Sequence, residues 1–236
     1  MARRQPLAPG TPRTSPLVVV IWVLLLCALG VAIAWKFGFL GDRGVSAEEI
    51  TRVLFVAAAP DEEGAVLAQV ICVVDITATP VTIMPVSPET SATIPGTSYN
   101  RLADAYAFGG GAGTARALAA AAGGEPLPYV ALAPGALAAA IEAAGPVTMA
   151  LPADMSVFDG ETLYTFAEGE QSLSADEVLA VFKGAPYLES ADRDRLDAEL
   201  ASALMPLVAA ADITSIDTDL SDEALSGVRQ TLASLP

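Results

Sequence analysis

Apolar residues fall into three kinds of run along the chain. The first, Leu17 to Trp35 (LVVVIWVLLLCALGVAIAW), is uncharged over 19 residues, about the length needed to cross a ~30 Å hydrocarbon core. Beyond residue 50 the runs shorten and turn residues divide them. Val53 to Ala58 (VLFVAA) reads as a buried strand closed by Pro60-Asp61-Glu62-Glu63-Gly64. Gln69 to Ile76 and Val81 to Val86 are rich in β-branched residues and flank Thr77-Ala78-Thr79-Pro80, which predicts a hairpin. Tyr129–Leu132, Val147–Leu151 and Leu163–Phe166 are three further short strands.

The third kind of run has helical spacing. Asn100–Phe108 and Thr114–Ala122 are expected as helices joined by a connector, Gly109 to Gly113. Pro134–Ala144 is a helix opened by its proline. Ser174-Ala175-Asp176-Glu177 forms a capping box, in which the Ser hydroxyl accepts the Glu amide and the Glu carboxylate reaches back. It opens a helix to about Lys183. Arg193–Ala210 places Leu196, Leu200, Leu204, Leu207 and Val208 on one face, and Leu225, Val228 and Leu232 repeat the pattern in the tail. Strands interleaved with helices predict a layered α/β/α domain with a central mixed sheet, preceded by one transmembrane helix. The expected organisation is a basic arm at 1–16, an anchor at 17–36, a linker at 37–49 and the domain at 50–236.

Charge orients this arrangement. Arg3, Arg4 and Arg13 precede the apolar run without an acidic neighbour, so the positive-inside rule keeps the arm cytoplasmic and places the domain outside. A cleaved leader also starts basic, and Val31-Ala32-Ile33-Ala34 offers small residues for cleavage. Its apolar core is ordinarily shorter than this run, which makes an anchor the expectation. Residues 44–236 carry seven basic and 27 acidic side chains. Solubility of an exported domain accounts for that balance, and it argues against a nucleic-acid partner. No histidine is present, which removes Ser-His-Asp and Cys-His catalysis. The two cysteines, Cys27 and Cys72, fall within and beyond the apolar run, so they form no disulfide framework or zinc ribbon.

Single motifs are weak. Gly109–Gly113 lacks both the GxGxxG spacing and the Lys-Ser/Thr pair of a phosphate loop. Asp61-Glu62-Glu63 and Asp217/Asp219/Asp222 do not match a calcium loop and read as solvated turns. Asp192-Arg193-Asp194-Arg195 alternates in sign at a helix start and reads as surface ion pairing.

The order of segments is more specific. QVICVVDI, VTIMPV, ETSATIPG and RLADAYAFGGG, followed by IEAAGPV, LPADM, Ser174–Lys183 and Asp217-Thr218-Asp219-Leu220-Ser221, resemble the LytR-CpsA-Psr family from about residue 50 onward. The resemblance implies a domain that moves a glycopolymer from a polyprenyl-pyrophosphate lipid to peptidoglycan. Arginines would clamp the pyrophosphate, and carboxylates would hold Mg²⁺ and help deprotonate the acceptor. Most motif positions differ here. Ala59 and Gln69 stand where the family has aspartates, Pro88 and Ala185 where it has arginines, and Ala103 where it has asparagine. Glu89, Lys183, Arg193 and Arg195 are the remnants, with Glu89 the candidate catalytic acid. The resulting expectation is a membrane-anchored envelope protein with a degenerate pyrophosphate site and no required cofactor, binding a polyprenyl lipid or an envelope protein. The alternative is an active glycopolymer transferase that needs Mg²⁺. A transcriptional role is disfavoured for an exported, acidic domain.

Overall fold

A computed structural model describes residues 50–233, all within one compact unit, Gly44–Pro236. The arm and the apolar run Leu17–Trp35 lie outside the described residues. Among those described, no helix is long and apolar enough to cross a membrane.

The sheet is built on β1 (Arg52–Pro60). It pairs antiparallel with β2 (Val66–Asp75) and parallel with β4 (Tyr129–Leu132). β3 (Thr82–Pro85) continues antiparallel beyond β2, and β9 (Ile216–Thr218) runs antiparallel beyond β4. The order β3-β2-β1-β4-β9 makes a central mixed sheet, and the predicted hairpin is its β2–β3 edge. Side chains alternate along β1, as a strand buried on both sides requires. Val53, Phe55, Ala57 and Ala59 join the larger apolar cluster, while Leu54 and Val56 join the smaller one on the other face.

Helices cover both faces. A 3-10 helix, Leu102–Phe108, and α1 (Gly110–Ala122) contribute to the smaller cluster. α2 (Pro134–Ala144), α3 (Ala175–Gly184), α4 (Ser190–Leu204), α5 (Leu207–Ala210) and α6 (Asp222–Leu232) contribute to the larger one. Two small ribbons complete the domain. One pairs β5 (Val147–Leu151) with β8 (Gly169–Leu173), and the other pairs β6 (Met155–Phe158) with β7 (Leu163–Phe166).

Three expectations need correction. The glycine run is not a connector but the opening of α1. Gly110 has φ +58°, and a side chain at Gly111 would enter the Tyr129 ring, so glycines let this helix lie against β4. The long helix expected over Arg193–Ala210 is two helices. Pro206 lacks an amide N–H and crowds the preceding turn, so α4 ends at Leu204 and α5 begins at Leu207. The first of the paired helices starts at Leu102 and is 3-10 in type. The capping box forms as expected. Ser174 Oγ accepts from the Glu177 amide, and Glu177 Oε2 accepts from the Ser174 amide at 2.7 Å.

Candidate functional site

β1 and β2 pair in register except at one point. Ala57 faces Val70 and Ala58 faces Ala68, which leaves Gln69 as an extra residue in β2. Such a bulge re-aims the side chain it carries. Gln69 lines a cavity of about 230 Å³ together with Asp61, Glu63, Glu89, Arg101 and Lys183. Pro88, Ala103 and Phe182 complete part of its wall. Five sequence-predicted positions from four separate stretches of the chain therefore meet here: Gln69, Pro88, Glu89, Ala103 and Lys183.

Local backbone bonds hold the loop and the 3-10 helix together. The Ala103 amide donates to the Pro88 carbonyl at 2.9 Å, and the Leu102 amide donates to the Thr90 carbonyl at 2.8 Å. This brings Arg101 beside Glu89. The Arg101 guanidinium donates to both oxygens of Asp104, at 2.7 and 3.2 Å, and to Glu89 Oε1 at 3.3 Å. A fork on a nearly buried carboxylate is a strong, directional pairing. Hydrogen bonding to Asp104, reinforced by Glu89, raises the guanidinium's hold on its proton. Sequence reasoning did not single out Arg101, though an Arg three residues before an Asp at a helix start signals such a pair.

Lys183 reaches the cavity from the last turn of α3. Among the described residues no carboxylate lies within ion-pairing distance of it. The rim is acidic. Asp61 Oδ1 accepts from the amides of Glu63 and Ala65, shaping the turn. Glu62 Oε1 accepts from the Tyr187 hydroxyl at 2.7 Å, which raises the phenol's affinity for its proton.

A second recess, about 30 Å³, shares Gln69, Pro88, Glu89, Phe182 and Pro186 with this cavity. Ala185, Arg193, Asp197 and Leu200 line its other side. Arg193 does not form the surface ion pair suggested by its neighbours. Its Nε donates to the Ala185 carbonyl at 3.2 Å, and its Nη2 donates to the carbonyls of Pro186 and Leu188 at 2.7 and 3.1 Å. These carbonyls belong to the 3-10 turn Ala185–Tyr187 and to Leu188, which follow α3, and the Ala185 carbonyl also accepts from the Leu188 amide. Arg195 is exposed, pairs with Asp192 and lies outside both cavities. Ala59 is fully buried in the larger apolar cluster and lines neither.

Asp197 was not foreseen. It is 8% exposed, and its Oδ2 has no hydrogen-bond partner. Burial, and secondarily the negative charge of Asp194, pushes its carboxyl up to about 6. A charged residue within the stripe of Leu196, Leu200 and Leu204 was the available signal.

The distant acids Asp217 and Asp219 are not solvated turns. Asp217 accepts from the Gly111 amide at 2.9 Å and the Tyr129 hydroxyl at 3.0 Å, and Asp219 accepts from the Tyr129 amide at 2.9 Å. They fasten β9 to β4 and to the start of α1. Cys72 is buried within β2 as a free thiol, and burial raises its affinity for its proton.

Mg²⁺ takes octahedral oxygen ligands and favours carboxylates, and the carboxylates at this cavity, Asp61, Glu62, Glu63 and Glu89, are not gathered into a metal-holding group. Glu89 is engaged by Arg101, Gln69 offers a neutral oxygen, and no three metal-ligating side chains converge among the described residues.

No family model and no curated protein matches the chain. Solved structures do. TagT bound to LI-WTA superposes with a TM-score of 0.55 at 16% identity, covering 83% of this chain and 81% of TagT. B. subtilis TagV gives 0.54 at 17% identity, covering 77% and 78%. A transcriptional regulator from Enterococcus faecalis gives 0.54 at 19% identity, covering 80% and 73%. At these identities the likeness is one of fold, and the fold is LytR-CpsA-Psr-like.

Proposed function

We propose that this chain is a membrane-anchored, extracytoplasmic envelope protein that binds a lipid-linked glycan in the Gln69–Glu89–Lys183 cavity without transferring it. One observation carries this reading. Of the three cations at the two cavities, Arg101 is held by two carboxylates and Arg193 by three backbone carbonyls. Lys183 is the one of the three that makes neither a hydrogen bond nor an ion pair among the described residues, its charge acting only at longer range on Asp159. A transferred pyrophosphate needs several preorganised positive donors where charge develops. Each such contact is worth ~1.5–3 kcal/mol, so replacing two arginines by Pro88 and Ala185 removes orders of magnitude in affinity or rate. Proline adds no donor of its own, neither side chain nor amide.

The anchor is the uncharged run Leu17–Trp35 behind Arg3, Arg4 and Arg13, which places the acidic domain outside the membrane. A second reading, an active glycopolymer transferase, is favoured by the fold's likeness to TagT, which binds LI-WTA. In that case Glu89 and Lys183 would be its working groups.

Mass spectrometry of lipids co-purifying with the detergent-extracted full chain separates the two. An intact lipid-linked glycan supports binding without transfer, and an apolar lipid lacking the glycan overturns it. Polyprenyl phosphate, the lipid left after transfer, supports the transferase and overturns the proposal.

A further inference from the structure

The recess beside the main cavity holds a polar group that the reading above leaves unused. Asp197 lies on the inner face of α4, between Leu196 and Leu200, with Oδ2 buried and without a hydrogen-bond partner. A buried carboxyl oxygen left unpaired is costly, so a ligand group that pairs it gains more than it would at the surface. The recess it lines leaves about 30 Å³ open to the centre of a water-sized probe, enough for a small polar group. It therefore admits one hydroxyl-sized group.

The groups around it define that group's chemistry. Asp197 accepts. The Gln69 amide, re-aimed by the bulge, makes no side-chain hydrogen bond among the described residues and can donate or accept. Arg193 retains Nη1 beyond its three carbonyl contacts. A group that both donates and accepts satisfies this set, which a hydroxyl does. An ammonium would face Arg193 in the recess and Lys183 in the main cavity, and a phosphate would face Asp197 and Glu89.

We propose that the recess takes a single sugar hydroxyl of the glycan carried by the ligand, donating to Asp197 and accepting from Gln69 or Arg193. Asp197 is then the residue that distinguishes a glycan-bearing lipid from a bare one. This rests on the reading of the main cavity as the site of a lipid-linked glycan. The charged groups acting on Asp197 are Asp194 and Arg193 on its own helix and Glu89 from the loop after β3. A hydroxyl that donates to the carboxylate favours its ionised form, so binding strengthens as pH rises through about 6.

The test uses the full chain in lipid nanodiscs, titrated calorimetrically to millimolar probe. The probes are a short-chain polyprenyl pyrophosphate bearing a neutral disaccharide and the same lipid without sugar, each at pH 5 and pH 7.5. The wild type should bind the sugar-bearing probe about tenfold more tightly than the bare lipid at pH 7.5, and lose most of that preference at pH 5. Asp197→Asn should flatten the pH dependence. Asp197→Leu should abolish the preference. Equal binding of both probes by the wild type at pH 7.5 overturns the proposal, as does a preference that survives Asp197→Leu. Should Asp197→Leu not fold, the wild-type pH profile with the two probes decides alone. If neither probe binds at millimolar concentration, the reading of the main cavity falls and takes this assignment with it.

Discussion

Asp217 and Asp197 are both aspartates drawn into the folded domain, and they do opposite things. Asp217 accepts from the Tyr129 hydroxyl and the Gly111 amide, so its charge joins β9, β4 and the first turn of α1. Tyr129 answers with a phenol held well above its ordinary range, first by burial and then by Asp217. Asp197 lines a recess that shares residues with the neighbouring cavity, and its buried Oδ2 has no hydrogen-bond partner. A satisfied carboxylate marks scaffold, whereas an orphaned one marks a place where a ligand contributes.

That contrast breaks most readily at Asp217. Asp217→Ala strips two acceptors and leaves the Tyr129 hydroxyl and Gly111 amide unpaired, which should destabilise the domain by about 2–4 kcal/mol. An unchanged melting temperature would show Asp217 to be peripheral.

Asp197→Asn should act in the other direction. A carboxyl whose folded-state pKa is raised to about 6 binds its proton more tightly folded than unfolded. The charged form therefore costs stability above pH 6, and that cost fades as pH falls toward the ordinary carboxylate range. The variant should gain roughly 1–2 kcal/mol at pH 8, after allowance for partial solvent screening, and nothing below about pH 4. Thermal melts of both proteins across that range check the sign. A gain that persists at low pH would mean the carboxyl is not what costs stability.

The arginines offer a parallel comparison. Arg193 donates to three carbonyls of the 3-10 turn and of Leu188 that follow α3, and Arg229 donates to those of Val208, Ala209 and Ala211 at the end of α5. Lysine has the charge but not the fork, so Arg193→Lys should cost about 1 kcal/mol. Arg195→Ala, at an exposed pair with Asp192, should change stability by less than about 0.5 kcal/mol. Equal losses in the two variants, measured by chemical denaturation, would erase the distinction between a carbonyl-bound arginine and a surface pair.

These roles also show what the sequence could and could not reveal. β4, α2 and β5 begin and end where residue type dictates, with Pro134 opening α2 and each strand starting on a pair that is aromatic or β-branched, Tyr129-Val130 and Val147-Thr148. β8, Gly169-Glu170-Gln171-Ser172-Leu173, carries one large apolar residue and exists because β5 pairs with it, which no local pattern announces. β9 is three residues long and is fixed by Asp217, Thr218 and Asp219 gripping Tyr129. The site follows the same division. Gln69, Glu89 and Lys183 were marked by position in a family-like order, and the fold brings them to one cavity. Which cations stay available was not legible, because the partners of Arg101 and Arg193 are set by a loop packing on a 3-10 helix and by the carbonyls of the 3-10 turn after α3.

We propose that this cavity retains the place of a pyrophosphate site but not its clamp. Calorimetry of the full chain with a soluble polyprenyl-pyrophosphate analogue, with and without Mg²⁺, tests it most directly, alongside Pro88→Arg/Ala185→Arg. The wild type should bind weakly, with a Kd above about 100 µM, and Mg²⁺ should not change it, while the double variant should bind at least about tenfold more tightly. Micromolar, Mg²⁺-dependent binding by the wild type would contradict the account.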